Sequence, residues 1–239
     1  MTISKNTQIG EVVKLNFATA SIFRENNIDF CCGGDKTISE ASKTAGIDST
    51  QLIKELEEKT ANPDPDSEYV NNLEPDELID YIVKRHHTYV RKSIPLLQES
   101  IAKVCRKHGE NHPEMFEIQR LFEGSAGDLT MHMQKEELML FPYIKRMVQS
   151  DMEGTKLNNP PFGTVANPIR AMVADHQNEG ERFEKIDELT SHYQIPEDAC
   201  ATYFASIKGL QDFEKDLHRH IHLENNILFP KAEKLEARL

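Results

Sequence analysis

Tryptophan is absent from this chain, and cysteine occurs only four times in 239 residues. Positive charge is in deficit. The formal charge of −12 argues against a nucleic-acid or anionic-membrane partner, either of which favours a basic patch. No apolar run approaches the roughly 20 residues that a membrane span needs. The N-terminal stretch "MTISKNTQIGEVVKLNF" lacks an apolar signal core and a small-residue cleavage site, so the expected location is the cytoplasm. Thiols stay reduced there, and the adjacent pair Cys31 and Cys32 reads as reactive or metal-linked rather than structural. Strand-like alternation is missing too. What remains is a soluble composition, 28% charged and 38% apolar, with a mild surplus of histidine at 10 residues.

The pattern predicts an all-α chain. "TANPDPDSEYVNN" at 60–72 carries two prolines and almost nothing apolar, so residues 61–72 read as a linker. Residues 1–60 form a small helical domain. In it Thr37 and Glu40 make a capping box closed by Gly46, and Asp48 with Gln51 repeats the device. Residues 73–239 hold four amphipathic runs at about 75–108, 113–150, 166–192 and 196–237, with Pro75, Pro113, Pro168 and Pro196 at or near their starts. Four such helices with antiparallel connections imply an up-down four-helix bundle.

Two stretches of the bundle match: "HMQKEELMLFP" at 132–142 and "HIHLENNILFP" at 220–230, 88 residues apart. His87 and His176 lie 89 apart. The bundle therefore reads as two helical hairpins, each supplying one His from its first helix and a His-x-x-x-Glu pair from its second. Positions i and i+4 stand about 40° apart on a helix. That puts Glu136 beside His132 on a stripe with Ile118, Leu121, Leu129, Met139 and Tyr143. It puts Glu224 beside His220 with Tyr203, Phe213, Leu217, Ile227 and Leu228. His218, His222 and Glu137 fall on polar faces. A lone His on an apolar face is an ordinary core residue, but a carboxylate there needs a positive partner, and no Lys or Arg occupies these stripes. Imidazole with carboxylate suits iron, manganese or zinc. Four imidazoles and two carboxylates exceed one tetrahedral zinc and suit two ions bridged by both carboxylates. Spacing alone leaves His86 and His87 close rivals. Asp128 and Asp175 are either supports of the ligands or solvated.

Together "DFCCGG", "HMQKEELMLFP", "ADHQNEG" and "HIHLENNILFP" make the chain resemble a known family. The bundle is similar to the hemerythrin-like domain, and the whole chain to the di-iron iron–sulfur cluster repair proteins (the "repair of iron centres" family). The resemblance implies two non-haem irons, oxo- and carboxylate-bridged. His87, His132, His176 and His220 would be terminal ligands, with Glu136 and Glu224 as bridges. It chooses His87 over His86, because the family's first-helix ligand stands eight residues before a proline, here Pro95. It implies repair of clusters damaged by nitric oxide or oxidative stress through donated iron. The implied partners are damaged iron–sulfur proteins, with nitric oxide or oxygen as small ligand. Rival readings keep the same site: a nitric oxide scavenger or sensor, or a di-iron nitric oxide reductase. The choice between enzyme and binder, and between monomer and homodimer, stays open.

Cys31 and Cys32 precede a capped helix on a Gly-Gly turn. The helix dipole and loop amides are expected to favour thiolate there, and the pair is the expected second reactive element, passing on iron or electrons. Cys105 and Cys200 read as ordinary helical residues.

Overall fold

The computed structural model describes residues 2–158 and 160–239. Helix dominates them, and the one β feature is an isolated antiparallel bridge between Gln8 and Thr37. Among the described residues no helix is long and apolar enough to cross a membrane. The chain divides into two compact units. One is Met1–Ile79 with Ile144–Asn159 and Ile221–Leu239; the other is Asp80–Tyr143 with Pro160–His220.

The first unit opens with α1 (Ile9–Leu15), α2 (Ala20–Glu25), α3 (Ile38–Ala45) and α4 (Ser49–Thr60). Thr37 and Glu40 form the expected capping box, and Gly46 ends α3 with a φ of 71°. The second device is half formed. Asp48 accepts from the Thr50 amide, but the Gln51 side chain turns to Glu55.

The stretch expected to be a linker carries a helix, α5 (Pro65–Asn72). Its polar composition hides a start signal, Asp64 as N-cap with Pro65 in the first turn. Ser67 and Val70 are buried. Asp64 and Ser67 both accept from the Phe17 amide, and Asn71 donates to the Lys14 carbonyl. The core of this unit gathers Ile9, Val12, Phe23, Ile38 and Leu56 from the N-terminal helices with Met147, Leu223 and Phe229 from later in the chain.

The remaining helices are α6 (Pro75–Ile82), α7 (Thr88–His108), α8 (Glu114–Lys135), α9 (Phe141–Glu153), α10 (Ala166–Leu189), α11 (Ala201–His222) and α12 (Phe229–Glu236). Among the described residues three π turns stand between consecutive helices. Val83–His87 joins α6 to α7, Glu136–Leu140 joins α8 to α9, and Leu223–Leu228 joins α11 to α12. The four expected runs are therefore present. The third stops earlier than expected, at Leu189, because Ser191, His192 and Tyr193 adopt positive φ. The fourth starts at Ala201 rather than near Pro196.

In the second unit α7, α8, α10 and α11 form the four-helix bundle. Its centre is aromatic: the Phe213 ring stands edge-on to Phe122 at 5.4 Å and stacks on Phe183 at 5.6 Å, all three being fully buried.

Candidate metal centre

Five of the six expected ligands lie in the bundle unit, and two of the π turns deliver His87 and Glu136. A π turn inserts one residue into a helix, widens it and turns side chains off the regular register, and it recurs at functional sites. Ligand atoms of His87, Glu136 and His220 lie within 4.8 Å of one another, and so do those of His132, Glu136 and His176. All five residues are buried. Glu224, four residues after His220 in sequence, lies in the first unit within the π turn Leu223–Leu228 and is fully buried.

The protonation pattern follows from the outer nitrogens. His87 Nδ1 stands 2.5 Å from Glu137 Oε1, so it carries the proton and donates it. Nε2 then holds the lone pair. That lone pair faces Nε2 of His220 at 3.1 Å and Oε2 of Glu136 at 3.4 Å. The second group repeats the first. His132 Nδ1 donates to Asp175 Oδ2 at 3.3 Å. Its Nε2 faces Nε2 of His176 at 3.1 Å and Oε1 of Glu136 at 3.4 Å. Lone pairs and carboxylate oxygens this close repel one another unless a cation lies between them. Glu136 thus turns one oxygen to each histidine pair. Each group offers two imidazoles and a carboxylate, a donor set for a transition metal ion.

Around these residues stands a ring of partners. Burial alone would raise the Glu137 carboxyl, but hydrogen bonds from His87 and Arg91 outweigh it and hold it below the usual range. The hydrogen bond from His132, helped by Lys135, brings Asp175 down to about 2. His86 is buried as well, but it donates to Asp216 at 3.0 Å. It lies parallel to His220 at 5.6 Å and belongs to neither ligand group. Burial lowers its pKa against the pull of Asp216. A cavity of about 60 Å³ is lined by His132, His176, Asp128, Lys135, Asp175 and Glu179.

Several expectations need correction. Glu137 does not simply face water, because the π turn that begins at Glu136 brings it onto His87. Met139, expected on the inner stripe, is 42% exposed, and Leu140 is buried in its stead. The inserted residue shifts the register locally, and Tyr143 further on is buried as expected. Of the two readings left open for Asp128, the structure favours the exposed one, with Arg182 as its partner at 2.7 Å. His222 lies on the face opposite to His220 but does not meet water. It is 1% exposed, lies 5.5 Å from the Phe17 ring and accepts from Asn226. Glu179 is a further buried carboxylate beside the site. It accepts from Ser125 at 2.5 Å and pairs with Arg182. Burial raises its pKa despite both partners. The available signal was its place one turn after His176 in "ADHQNEG".

The Cys31–Cys32 loop also departs from expectation. Cys31 is buried, and its thiol is pushed well above the usual value, chiefly by the neighbouring Cys32 sulfur, then by burial and by the charge of Asp29. The next helix begins only at Ile38, too far to supply the dipole. Cys105 is an inert core thiol, donating to the Met115 carbonyl and raised by burial. Cys200 is not ordinary. The Tyr203 amide and His108, 3.2 Å from its sulfur, lower it to about 7.

Residues 78–232 match the hemerythrin HHE cation-binding domain, and residues 5–60 match a domain of unknown function, DUF542. Over nearly the whole chain it is similar to the iron–sulfur cluster repair protein ScdA of Staphylococcus haemolyticus, 34% identical over 96% of this chain and 99% of the relative. It is similar to the iron–sulfur cluster repair protein YtfE of Musicola paradisiaca, 34% identical over 98% and 99%. The YtfE of Yersinia pseudotuberculosis is 33% identical over 95% and 97%.

Proposed function

The chain belongs to the iron–sulfur cluster repair proteins and its bundle to the hemerythrin HHE cation-binding family, and from that premise we propose that it restores damaged clusters by donating iron held at a di-iron centre. The ligands of that reading are His87, His132, Glu136, His176, His220 and Glu224. One observation carries it: two imidazole pairs, each Nε2 to Nε2 at 3.1 Å, address opposite oxygens of one buried carboxylate.

When bound, two ferrous ions supply labile iron and adjacent positions at which nitric oxide or oxygen can bind. The chain's own contribution is positioning. Glu137 and Asp175 fix His87 and His132 in the tautomer whose Nε2 is a donor to metal. His87, His132, His176 and His220 with Glu136 and Glu224 would hold the two ions, and bound there the ions would supply exchangeable iron. The cavity beside His132 and His176 is the way in for a small ligand. Cys31 and Cys32 are the thiols that would hand iron onward in the cytoplasm to a damaged iron–sulfur protein.

The test is iron content and iron transfer. Purified protein should hold about two irons per chain, and Glu136→Ala and Glu224→Ala should each lose most of it. Iron-loaded protein should restore an enzyme whose cluster has been destroyed by nitric oxide, with loss of iron from the donor equal to its gain by the target. Restoration without such a transfer would overturn donation, and full iron content in both variants would overturn the ligand set.

A further inference from the structure

A third group of metal-ligating side chains belongs to the first unit. Atoms of Asp29, Cys31 and Cys32 lie within 4.8 Å of one another. Both thiols are free. Their sulfurs stand 3.9 Å apart, and Cys31 Sγ is 3.4 Å from Asp29 Oδ1. Two thiolates on one tetrahedral ion, with metal–sulfur bonds of about 2.3 Å, stand about 3.8 Å apart. A thiolate and a carboxylate oxygen on the same ion stand about 3.5 Å apart. Two edges of the triangle therefore already match those of one coordination sphere, and the third lies within 4.8 Å.

The loop is built to hold that spacing. Asp29 Oδ1 accepts from the amides of Cys31 at 3.0 Å and Cys32 at 2.9 Å, which fixes the carboxylate on the thiol side of the turn. Asn225 donates to the Cys31 carbonyl at 3.1 Å and Asn226 to the Phe30 carbonyl at 3.3 Å. Gly10 donates to the Gly34 carbonyl at 2.8 Å. The backbone is thus clamped on both sides of the pair. A vicinal disulfide is the other use of adjacent thiols, but it closes a strained ring and would leave Asp29 without a role.

We propose that Asp29, Cys31 and Cys32 form a mononuclear site for a thiolate-preferring divalent ion, of which ferrous iron and zinc are the chemical class, with the fourth position open to solvent or to a partner's ligand. Binding replaces two S–H bonds with two metal–sulfur bonds and releases both protons to water. The ligand set of two sulfurs and one oxygen suits a borderline ion rather than magnesium or calcium. The open corner makes it an exchange site rather than a closed structural one. The assignment goes beyond iron donation by the bundle and does not depend on it.

The test uses reduced, full-length, iron-loaded protein with cobalt(II) as the probe. Imidazole and carboxylate ligands give cobalt no sulfur-to-metal charge-transfer band, so that band reports a thiolate ligand, and the cysteine variants assign it. Wild type should take up one cobalt per chain with the band, and Cys31→Ser with Cys32→Ser should abolish it. Asp29→Asn, which keeps the acceptor for both amides, should weaken binding at least tenfold. Cys105→Ser and Cys200→Ser should change nothing. Glu136→Gln should keep the band whether or not the bundle still holds iron. Should the double variant fail to fold, wild type alone decides: zinc should slow alkylation of Cys32 at least tenfold and leave Cys200 untouched. No band in wild type, a band that survives the double substitution, undiminished affinity in Asp29→Asn or unprotected Cys32 would each overturn the site.

Discussion

Glu136 and Glu137 are neighbours with different tasks. The first faces the imidazole pairs and the second holds one imidazole from behind. Replacing Glu137 with Ala removes the acceptor for His87 Nδ1–H, so the ring loses its fixed tautomer and orientation. Loss of such an outer partner weakens metal affinity about 10- to 100-fold. Chelator competition on Glu137→Ala should show a fall of that size, with Glu137→Gln recovering part of it. An unchanged affinity would mean that packing alone orients His87. Among the thiols, Cys200 is held near 7, first by the Tyr203 amide and then by His108. Its thiolate fraction should rise steeply as pH passes through about 7. Alkylation at Cys200 should therefore be half-maximal there, and His108→Ala should move the midpoint upward. Cys105, raised by burial, should stay unreacted over the same range. Equal rates at the two cysteines would remove the Cys–His pairing from consideration.

At the scale of the element, Gly34 and Gly10 form a backbone cradle for the Asn226 side chain. A Cβ on Gly34 would run into Asn226 Oδ1, and one on Gly10 would come within 2.6 Å of it. Asn226 cannot swing away cheaply, since its amide nitrogen donates to Phe30 and His222. Gly34→Ala should therefore cost about 1–3 kcal/mol, read as a shift of the urea midpoint. A midpoint equal to wild type would show that the cradle has slack. This clamp was not legible in the sequence, although "CCGG" marked the loop. The ligand set was largely legible, because a repeat of 88 residues aligns two His-x-x-x-Glu pairs and an inner carboxylate demands a cation. Regular 100° steps placed Glu136, Glu224, Tyr143, Ile227 and Leu228 correctly, all of them buried, and failed at Glu137 and Met139. A π turn has no residue signature of its own; it arises from how the rod packs. Hence Met139 was placed inside and Glu137 outside. His222 shows a different limit: a wheel gives the direction of a side chain, not what covers it.

The composition of 60–72 suggested that the chain could be cut there, yet the first compact unit joins Met1–Ile79 to Ile221–Leu239. The bonds between those segments are specific. Asn225 and Asn226 hold the carbonyls of Cys31 and Phe30. Lys231 donates to the carbonyls of Asn71 at 2.8 Å and Leu73 at 2.5 Å. The His222 ring lies against Phe17. A chain beginning at residue 74 would lose all of these. Neutral bonds contribute about 1 kcal/mol each, and those from a charged donor about 1.5–3, so the two Asn and two Lys231 bonds together are worth about 5–8 kcal/mol before any apolar surface is counted. That is a large share of the roughly 5–15 kcal/mol that stabilises a typical domain. The shortened chain should therefore unfold at a clearly lower denaturant concentration. Its loss of iron should be concentrated in what depends on Glu224, which shares the π turn Leu223–Leu228 with Asn225 and Asn226. Adding the separate 1–73 peptide should restore part of both. A shortened chain as stable as the full one, with iron unchanged, would mean that residues 1–73 serve only to present Cys31 and Cys32. Stability lost with iron retained would instead separate the clamp from the metal ligands.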